Sequence, residues 1–311
     1  MFCLLPLQGV SQGLKHQCIV YEILTNNLMK KLFYLLSLLL AALLVSCSSA
    51  DNENKEADDT NVPENPSNLT TGSFVAKPFS VSATKTVTFS PGNLQYHAAN
   101  NEWRFAPSQA DYIGQANEKI SSTYNGWIDL FGWGTGNNPT NKSMDGEGYS
   151  TFVDWGVNKI GNDAPNTWRT LTNQEWKYLR NERSNADKLK GVAQVNGVNG
   201  LILLPDSWTC PSGVIFKLGF DDDEGPEYYA SYQTFSASEW TKLEASGAVF
   251  LPAAGRRYCL RFVDYVGSGG YYWSSTPTDS GFAYYLYFYS DGVSMDYHYR
   301  YVGRSVRLVQ D

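Results

Sequence analysis

Histidine and cysteine are scarce in this chain of 311 residues, with three of the first and five of the second. His16 precedes the segment that reads below as a signal, which leaves His97 and His298, far apart and without ligand-like spacing. A metal centre built on three histidines is thereby excluded, and no metal or other cofactor is expected. Charge is also sparse: 18% of residues carry it, the formal net charge is -7, and no lysine follows Lys242. Nucleic-acid binders present a basic face, so no nucleic-acid partner is expected. The glycine patterns that cradle phosphates, GxGxxG and GxxxxGK[ST], are missing, which removes support for nucleotide binding. No GxSxG nucleophile elbow occurs either. What the chain has in quantity is aromatic: 14% of it, with 21 Tyr and 9 Trp, inside a hydrophobic fraction of 42%. Disordered chains are poor in aromatics and rich in charge, so wholesale disorder is excluded.

The first 73 residues divide into three parts. The run LFYLLSLLLAALLV, residues 32–45, has the length of a signal-peptide core and follows Met29-Lys30-Lys31, a start codon with a basic n-region. Residues 1–28 are then a spurious N-terminal extension, and 29–46 the signal peptide. The run ends Leu44-Val45-Ser46-Cys47, which resembles the bacterial lipobox; Cys47 is the expected lipidation site. Buried acyl CH₂ groups, at about 0.8 kcal/mol each, would anchor the mature protein to a membrane without spanning it. Residues 47–73 are polar and read as a disordered tether. Its acidic residues Asp51, Glu53, Glu56, Asp58 and Asp59 resemble the signal that sends lipoproteins to the outer face of the outer membrane; a solvated linker is the alternative.

With Cys3 and Cys18 discarded and Cys47 acylated, Cys210 and Cys259 remain in an oxidising compartment. They are a disulfide candidate, the alternative being two buried thiols.

Residues 74–311 read as one α+β domain. Alternation at Phe79, Val81, Val87 and Phe89 predicts strands, and Leu94-Gln95-Tyr96 should pair with Trp103-Arg104-Phe105. Between Gly114 and Asn166 an extended loop region is expected, pinned by Trp127, Phe131, Trp133 and Trp155. Thr172-Asn173-Gln174-Glu175 and Ser236-Ala237-Ser238-Glu239 are capping boxes that open two short helices, the second ending near Gly247. Leu201–Leu204 and Val249–Leu251 read as buried strands, each followed by proline. From Gly269 the chain alternates in strand fashion, with turns at Gly281, Gly292 and Gly303.

Trp168-Arg169-Thr170-Leu171-Thr172 with Glu175-Trp176 resembles a segment of formylglycine-generating-enzyme-like and related C-type-lectin-like domains. Tyr272-Trp273-Ser274-Ser275-Thr276, then Ala283, Leu286, Phe288, Gly303 and Ser305-Val306-Arg307-Leu308-Val309, resembles the C-terminus of "major paralogous domain" surface lipoproteins. The resemblance spans residues 165–311 and implies a C-type-lectin-like domain. It does not imply an enzyme here, because the copper-binding cysteine pair lacks its late context and the histidines are too few. His298, Asp296 and Ser294 make a His–carboxylate–Ser set on paper only. Calcium-lectin motifs of the EPN, QPD and WND types are absent. Asp221-Asp222-Asp223-Glu224 is an acidic run without the alternating spacing of a calcium loop, although calcium there stays open.

The remaining class is a cofactor-free binding surface. Nine of the 31 residues from Tyr271 to Tyr301 are tyrosine. In Tyr284–Tyr289 the period is two, so Leu286 and Phe288 share one face, which lacks polar handles and reads as core. Tyr285, Tyr287 and Tyr289 then point outward. Tyrosine gives rigid amphipathic contact area at low entropic cost. We expect Tyr285, Tyr287, Tyr289, Asp291, Tyr297, Tyr299 and Tyr301 to form one contiguous exposed surface, with Asp279 and His298 nearby. The expected role is a lipid-anchored surface adhesin for a protein or glycan on another cell, a phage or a host. A fimbrial structural or tip subunit is the alternative, marked by a long unpaired edge strand or a donor strand near residues 74–90. The Tyr, Asp, His and Ser positions between frame residues all have codons one base from asparagine's. The tail thus resembles the adenine-mutated repeat of a diversity-generating retroelement target.

Overall fold

Alternation at the start of the domain produces two short strands, β1 (Phe79–Ser80) and β2 (Thr86–Phe89), paired antiparallel with Phe79 opposite Val87. Phe79, Val81, Val87 and Phe89 are all buried. The computed structural model describes residues 74–217, 233–258, 262–278 and 281–311. Cys47, the tether, the Asp221–Glu224 run, Cys259 and Asp279 lie outside the described residues. No described helix is long and apolar enough to cross a membrane.

Strand β3 (Leu94–His97) pairs with β4 (Glu102–Phe105), as the alternation predicts, and with β5 (Trp127–Ile128). The loop region that follows holds short 3-10 turns at Gly146–Tyr149 and Trp155–Val157. Phe131, Trp133 and Trp155 are buried pins. Trp133 donates its indole N–H to the Ser274 carbonyl at 2.9 Å, and Trp273 donates to the Phe131 carbonyl at 2.8 Å. These reciprocal bonds fasten the loop to the C-terminal sheet. Trp127 is only half-buried and lies under the Arg104 guanidinium at 3.6 Å.

Strand β6 (Arg169–Thr170) leads into helix α1 (Asn173–Lys177), which continues as a π turn to Glu182. Both halves of the capping box form: Thr172 accepts from the Glu175 N–H, and Glu175 accepts from the Thr172 N–H. Next come β7 (Lys190–Val195), β8 (Val198–Leu203), β9 (Gln233–Phe235), helix α2 (Ala237–Ala245) and β10 (Val249–Pro252). Ser236 and Glu239 cap α2 reciprocally. Gly247 follows the helix at φ +94°, a conformation that glycine adopts without strain. The sheet order is β10-β8-β7-β9, and β7 with β9 is parallel.

The C-terminal part contains the hairpin β11 (Arg256–Tyr258) and β12 (Phe262–Asp264), then β13 (Gly270–Pro277), β14 (Phe282–Tyr289), β15 (Gly292–Tyr299) and β16 (Leu308–Gln310). β13-β14-β15 form one antiparallel sheet. Gly270 is required beneath Phe288: a Cβ there would stand 2.1 Å from the ring. Strand β16 inserts between β2 and β6, so the last strand of the domain lies beside its second. The architecture is therefore α+β and rich in strands, with two short α-helices among the described residues.

Cys210 is a free, exposed cysteine whose thiol donates to the Val214 carbonyl at 3.3 Å; Cys259, its expected partner, lies outside the described residues.

Asp129 is fully buried and accepts from the Ile113 N–H and the Asn117 amide, both at 2.8 Å. Burial pushes its carboxyl up to about 6, against the pull of those hydrogen bonds. The folded value lies above the unfolded one of roughly 3.9. Stability from this group is therefore present on the acid side and is lost as pH rises through 6. Compared with Asp129→Asn, the wild type should lose about 2 kcal/mol between pH 4 and pH 7, from the 1.36 kcal/mol per pKa unit. Urea unfolding of both proteins across that range measures it. A difference that stays flat with pH means the carboxyl is already ionised in the fold.

Candidate functional site

The β13-β14-β15 sheet carries the tyrosines, and its register decides which of them meet. Tyr285 stands opposite Trp273 and Asp296, Tyr287 opposite Tyr271 and Ser294, and Ala283 opposite His298. One face thus presents Tyr271, Trp273, Tyr285, Tyr287, Tyr289, Ser294, Asp296 and His298. The other presents Tyr272, Phe282, Tyr284, Leu286, Phe288, Val293, Met295, Tyr297 and Tyr299.

Leu286 and Phe288 are buried in a core with Tyr272, Phe89 and Leu203, as their lack of polar atoms predicts. The expectation for the opposite face needs correction. Tyr285 is 4% exposed and packs in a second core with Trp103, Phe131, Trp155, Val306 and Leu308. This sheet is covered on both sides, because the pinned loop and the approach to β16 fold over its tyrosine face. Tyr287 and Tyr289 are half-buried at the margin of that core. Tyr301 is also buried, stacked on Tyr299 at 5.0 Å and packed with Tyr149 and Val302.

A second correction concerns contiguity. Tyr297 and Tyr299 belong to the opposite face from Tyr285, Tyr287 and Tyr289, because antiparallel pairing sets Tyr297 against Tyr284 and Tyr299 against Phe282. Tyr297 is 53% exposed and Tyr299 half-buried. Asp291 is exposed at the β14–β15 turn, and His298 is half-buried. The single surface expected from alternation is two surfaces, on either side of β15.

The first surface has a cationic floor. Arg304 is fully buried, its Cζ 3.7 Å over the Tyr285 ring, 4.5 Å over Trp273 and 5.8 Å over Tyr271. Among the described residues no acceptor meets its three guanidinium nitrogens with good hydrogen-bond geometry, although the Tyr285 hydroxyl lies close enough to favour its charge. Burial pulls its pKa down to about 10, and the charge is held by the faces of the rings. Arg256 lies over Tyr265, Tyr271 and Tyr258 at 5.0–5.5 Å and pairs with Asp264 at 3.0 Å. Tyr265 is 44% exposed and adopts φ +58°, which costs a non-glycine residue about 1–3 kcal/mol. Its carbonyl accepts the N–H groups of Ser268 and Gly269, which holds the turn. The hydroxyls of Tyr271 and Tyr289 hydrogen-bond each other.

His298 is drawn down to about 4, first by burial and then by Arg304 and Arg256, with Asp296 opposing. Its Nδ1 is buried without a partner. Asp296 accepts instead from the Tyr285 hydroxyl at 3.3 Å and the Tyr297 N–H at 2.8 Å. His298, Asp296 and Ser294 therefore share a face without forming the relay that nucleophilic catalysis needs. Among the described residues no cluster of three or more His, Cys, Asp or Glu is placed to hold a metal ion.

Sequence reasoning missed Arg256, Arg304, Tyr258 and Tyr265. A signal existed for one of them: Arg304 interrupts the otherwise small and apolar stretch Val302–Val306.

Residues 230–309 match a family described as a domain of unknown function (DUF8237). The matched segment runs from before α2 into β16 and so contains the whole aromatic and arginine surface. No curated protein and no solved structure matches the chain.

Proposed function

We propose that the protein is a lipid-anchored, cell-surface binding protein with a C-type-lectin-like domain, and that it grips its partner through the tyrosine surface around Tyr287, Tyr289 and Tyr265. The observation that carries this reading is a rim of partly exposed tyrosines over a fully buried arginine held against ring faces. Rims of this kind offer apolar ring area and a hydroxyl at one place, with little entropy left to lose. Two capped helices, a strand-rich C-terminus and the return of the last strand to the N-terminal hairpin beside β2 support the fold assignment. The lipobox at Cys47 supports the anchor. Ser294 and Asp296 share the face of the rim and lie outside the cores, so substitution there would change the partner while leaving the frame intact. That separation suits a target of retroelement mutagenesis.

A fimbrial subunit is the second reading, and one observation speaks to it. β15 is an eight-residue edge strand. Its outward groups are partly taken, however: Arg180 donates to the Val293 carbonyl at 2.7 Å, and Asp296 accepts the Tyr297 N–H. Strand β2 is flanked on both sides. Capped edges resist strand addition, which favours the monomeric binder.

The test uses the full chain displayed on its own cells and an array of glycans and surface proteins. Wild-type cells should adhere to specific array components, and Tyr287→Ser should lose at least tenfold of that adhesion with Tm changed by no more than a few degrees. Cys47→Ala should move the protein out of the membrane fraction. Adhesion that Tyr287→Ser leaves intact, or no adhesion by the wild type, overturns the binding role; a Cys47→Ala protein that still sediments with membranes overturns the anchor.

A further inference from the structure

We infer that the pocket between residues 134–138 and 148–153 is a second binding site, and that it takes one neutral hexose ring at the end of a glycan chain. The site goes beyond the tyrosine rim: it shares no residue with it and lies outside the family segment 230–309.

Two chain segments run side by side here. The Val153 N–H donates to the Gly134 carbonyl and the Gly136 N–H to the Val153 carbonyl, each at 3.0 Å. Glycine makes the approach possible: a Cβ on Gly136 would stand 2.3 Å from the Asp154 carbonyl oxygen, and Gly134 adopts φ +66°. Phe152 packs on Trp133 at 4.8 Å, and Arg300 donates to the Tyr149 carbonyl at 3.1 Å. Both walls are thereby tied to the pinned loop and the C-terminal tail. Beyond the paired stretch the segments part and leave a pocket of about 280 Å³. That is just below the range for drug-sized ligands and suits a single six-membered ring with its hydroxyls. Because the walls are fixed by these bonds, a ligand has little ordering left to impose.

None of the eight residues lining the pocket is ionisable. Asn137 and Asn138 stand exposed on one wall, Ser150 and Thr151 on the other, and no described residue takes up their side-chain amides or hydroxyls. The Thr135 hydroxyl, by contrast, is committed to the Gly132 carbonyl at 2.8 Å. An amide offers donors and an acceptor, and a hydroxyl offers both functions in one atom. Four such groups around one small space match a ligand that carries several adjacent hydroxyls. Val153 adds an apolar patch for the C–H face of a ring. An anion finds no cation in this lining, and the neighbouring Asp145 and Glu147 are exposed acids that repel it. A peptide needs a groove for several residues with side-chain subsites, which a pocket of this size and polarity does not make.

The full chain, labelled with nitrogen-15, is titrated with the methyl glycosides of glucose, galactose, mannose and N-acetylglucosamine, and separately with glucuronate and N-acetylalaninamide. At least one neutral glycoside should shift the Asn137 and Asn138 side-chain amide signals and the Gly148 and Thr151 backbone signals saturably. Its Kd should be about 1 mM, the strength of one small ring held by a few hydrogen bonds. Glucuronate and N-acetylalaninamide should each bind at least fivefold more weakly. Asn138→Ala should weaken the sugar at least fivefold, and Thr151→Trp, which fills the pocket, should abolish its binding. Both side chains are exposed, so Tm should move by no more than a few degrees. No saturable shift with any of the four glycosides overturns the inference. So does binding of glucuronate or N-acetylalaninamide within fivefold of the best glycoside, which assigns the pocket to an acid or a peptide. Shifts that Asn138→Ala and Thr151→Trp leave intact place the sugar elsewhere and overturn it as well. None of these readouts uses adhesion, so the pocket and the tyrosine rim can fail separately.

Discussion

Replacing Gln109 with Leu should destabilise the domain by about 3–5 kcal/mol, among the largest losses any single polar side chain here can produce. Gln109 is fully buried and uses both ends of its amide. Its oxygen accepts from the Phe250 N–H at 3.0 Å and from the Arg307 guanidinium. Its nitrogen donates to Glu244 at 3.0 Å and to the Ala248 carbonyl at 3.2 Å. One side chain thereby joins the loop after β4, helix α2, strand β10 and the segment before β16. Arg307 is itself buried, and its remaining contacts, to Asn93 and the Phe250 carbonyl, are long at 3.5 Å and 3.4 Å. Leucine fills the volume but leaves a cation, a backbone N–H and a carbonyl without their partner, each a desolvation cost with no return. For a domain of this size Tm should fall by roughly 10 °C. Gln174→Leu, on the exposed side of α1, is the control and should stay within about 0.5 kcal/mol. Thermal unfolding of the three proteins decides; equal melting of wild type and Gln109→Leu would mean that the network is replaced by water at no cost.

The parts of the fold that were legible in the sequence are those set by neighbours in the chain. Thr172 with Glu175, and Ser236 with Glu239, each complete a capping box within four residues, so residue type and spacing suffice. Gly247 likewise marks a helix end through its own backbone freedom. Alternation located the strands and identified Leu286 and Phe288 as core. It could not show that a second layer covers the other face, because that layer comes from residues such as Trp103 and Phe131, more than 150 positions earlier. Tyrosine suits a half-wet surface and a buried contact equally, so its identity does not choose between them. The polar knot at Gln109 was illegible for the same reason: its partners Glu244 and Arg307 lie 135 and 198 residues away. A polar residue type suggests exposure until its partners are known.

Tyr285→Ala should cost about 3–5 kcal/mol, the range for truncating a large buried aromatic, whereas Tyr297→Ala should cost under about 1 kcal/mol. The two residues sit on neighbouring strands and are identical in type, and alternation alone assigned both to the exposed surface. Tyr285 is 4% exposed and Tyr297 is 53% exposed. The Tyr285 ring touches the Tyr271 and Trp273 rings at 6.1 Å and lies 3.7 Å under the Arg304 guanidinium. Removing it opens a cavity and also takes away the nearest ring face against which the buried Arg304 guanidinium is held. The second loss separates Tyr285 from an ordinary core aromatic. Tyr285→Phe keeps the ring and gives up only the 3.3 Å bond to Asp296, so it should cost less than about 1.5 kcal/mol. Urea unfolding of the three variants measures the set. A stable Tyr285→Ala beside an unstable Tyr297→Ala would place the second core on the wrong side of the sheet. The predicted order instead makes Tyr285 part of the frame, and leaves Tyr287, Tyr289 and Tyr297 as the tyrosines free to change with the partner.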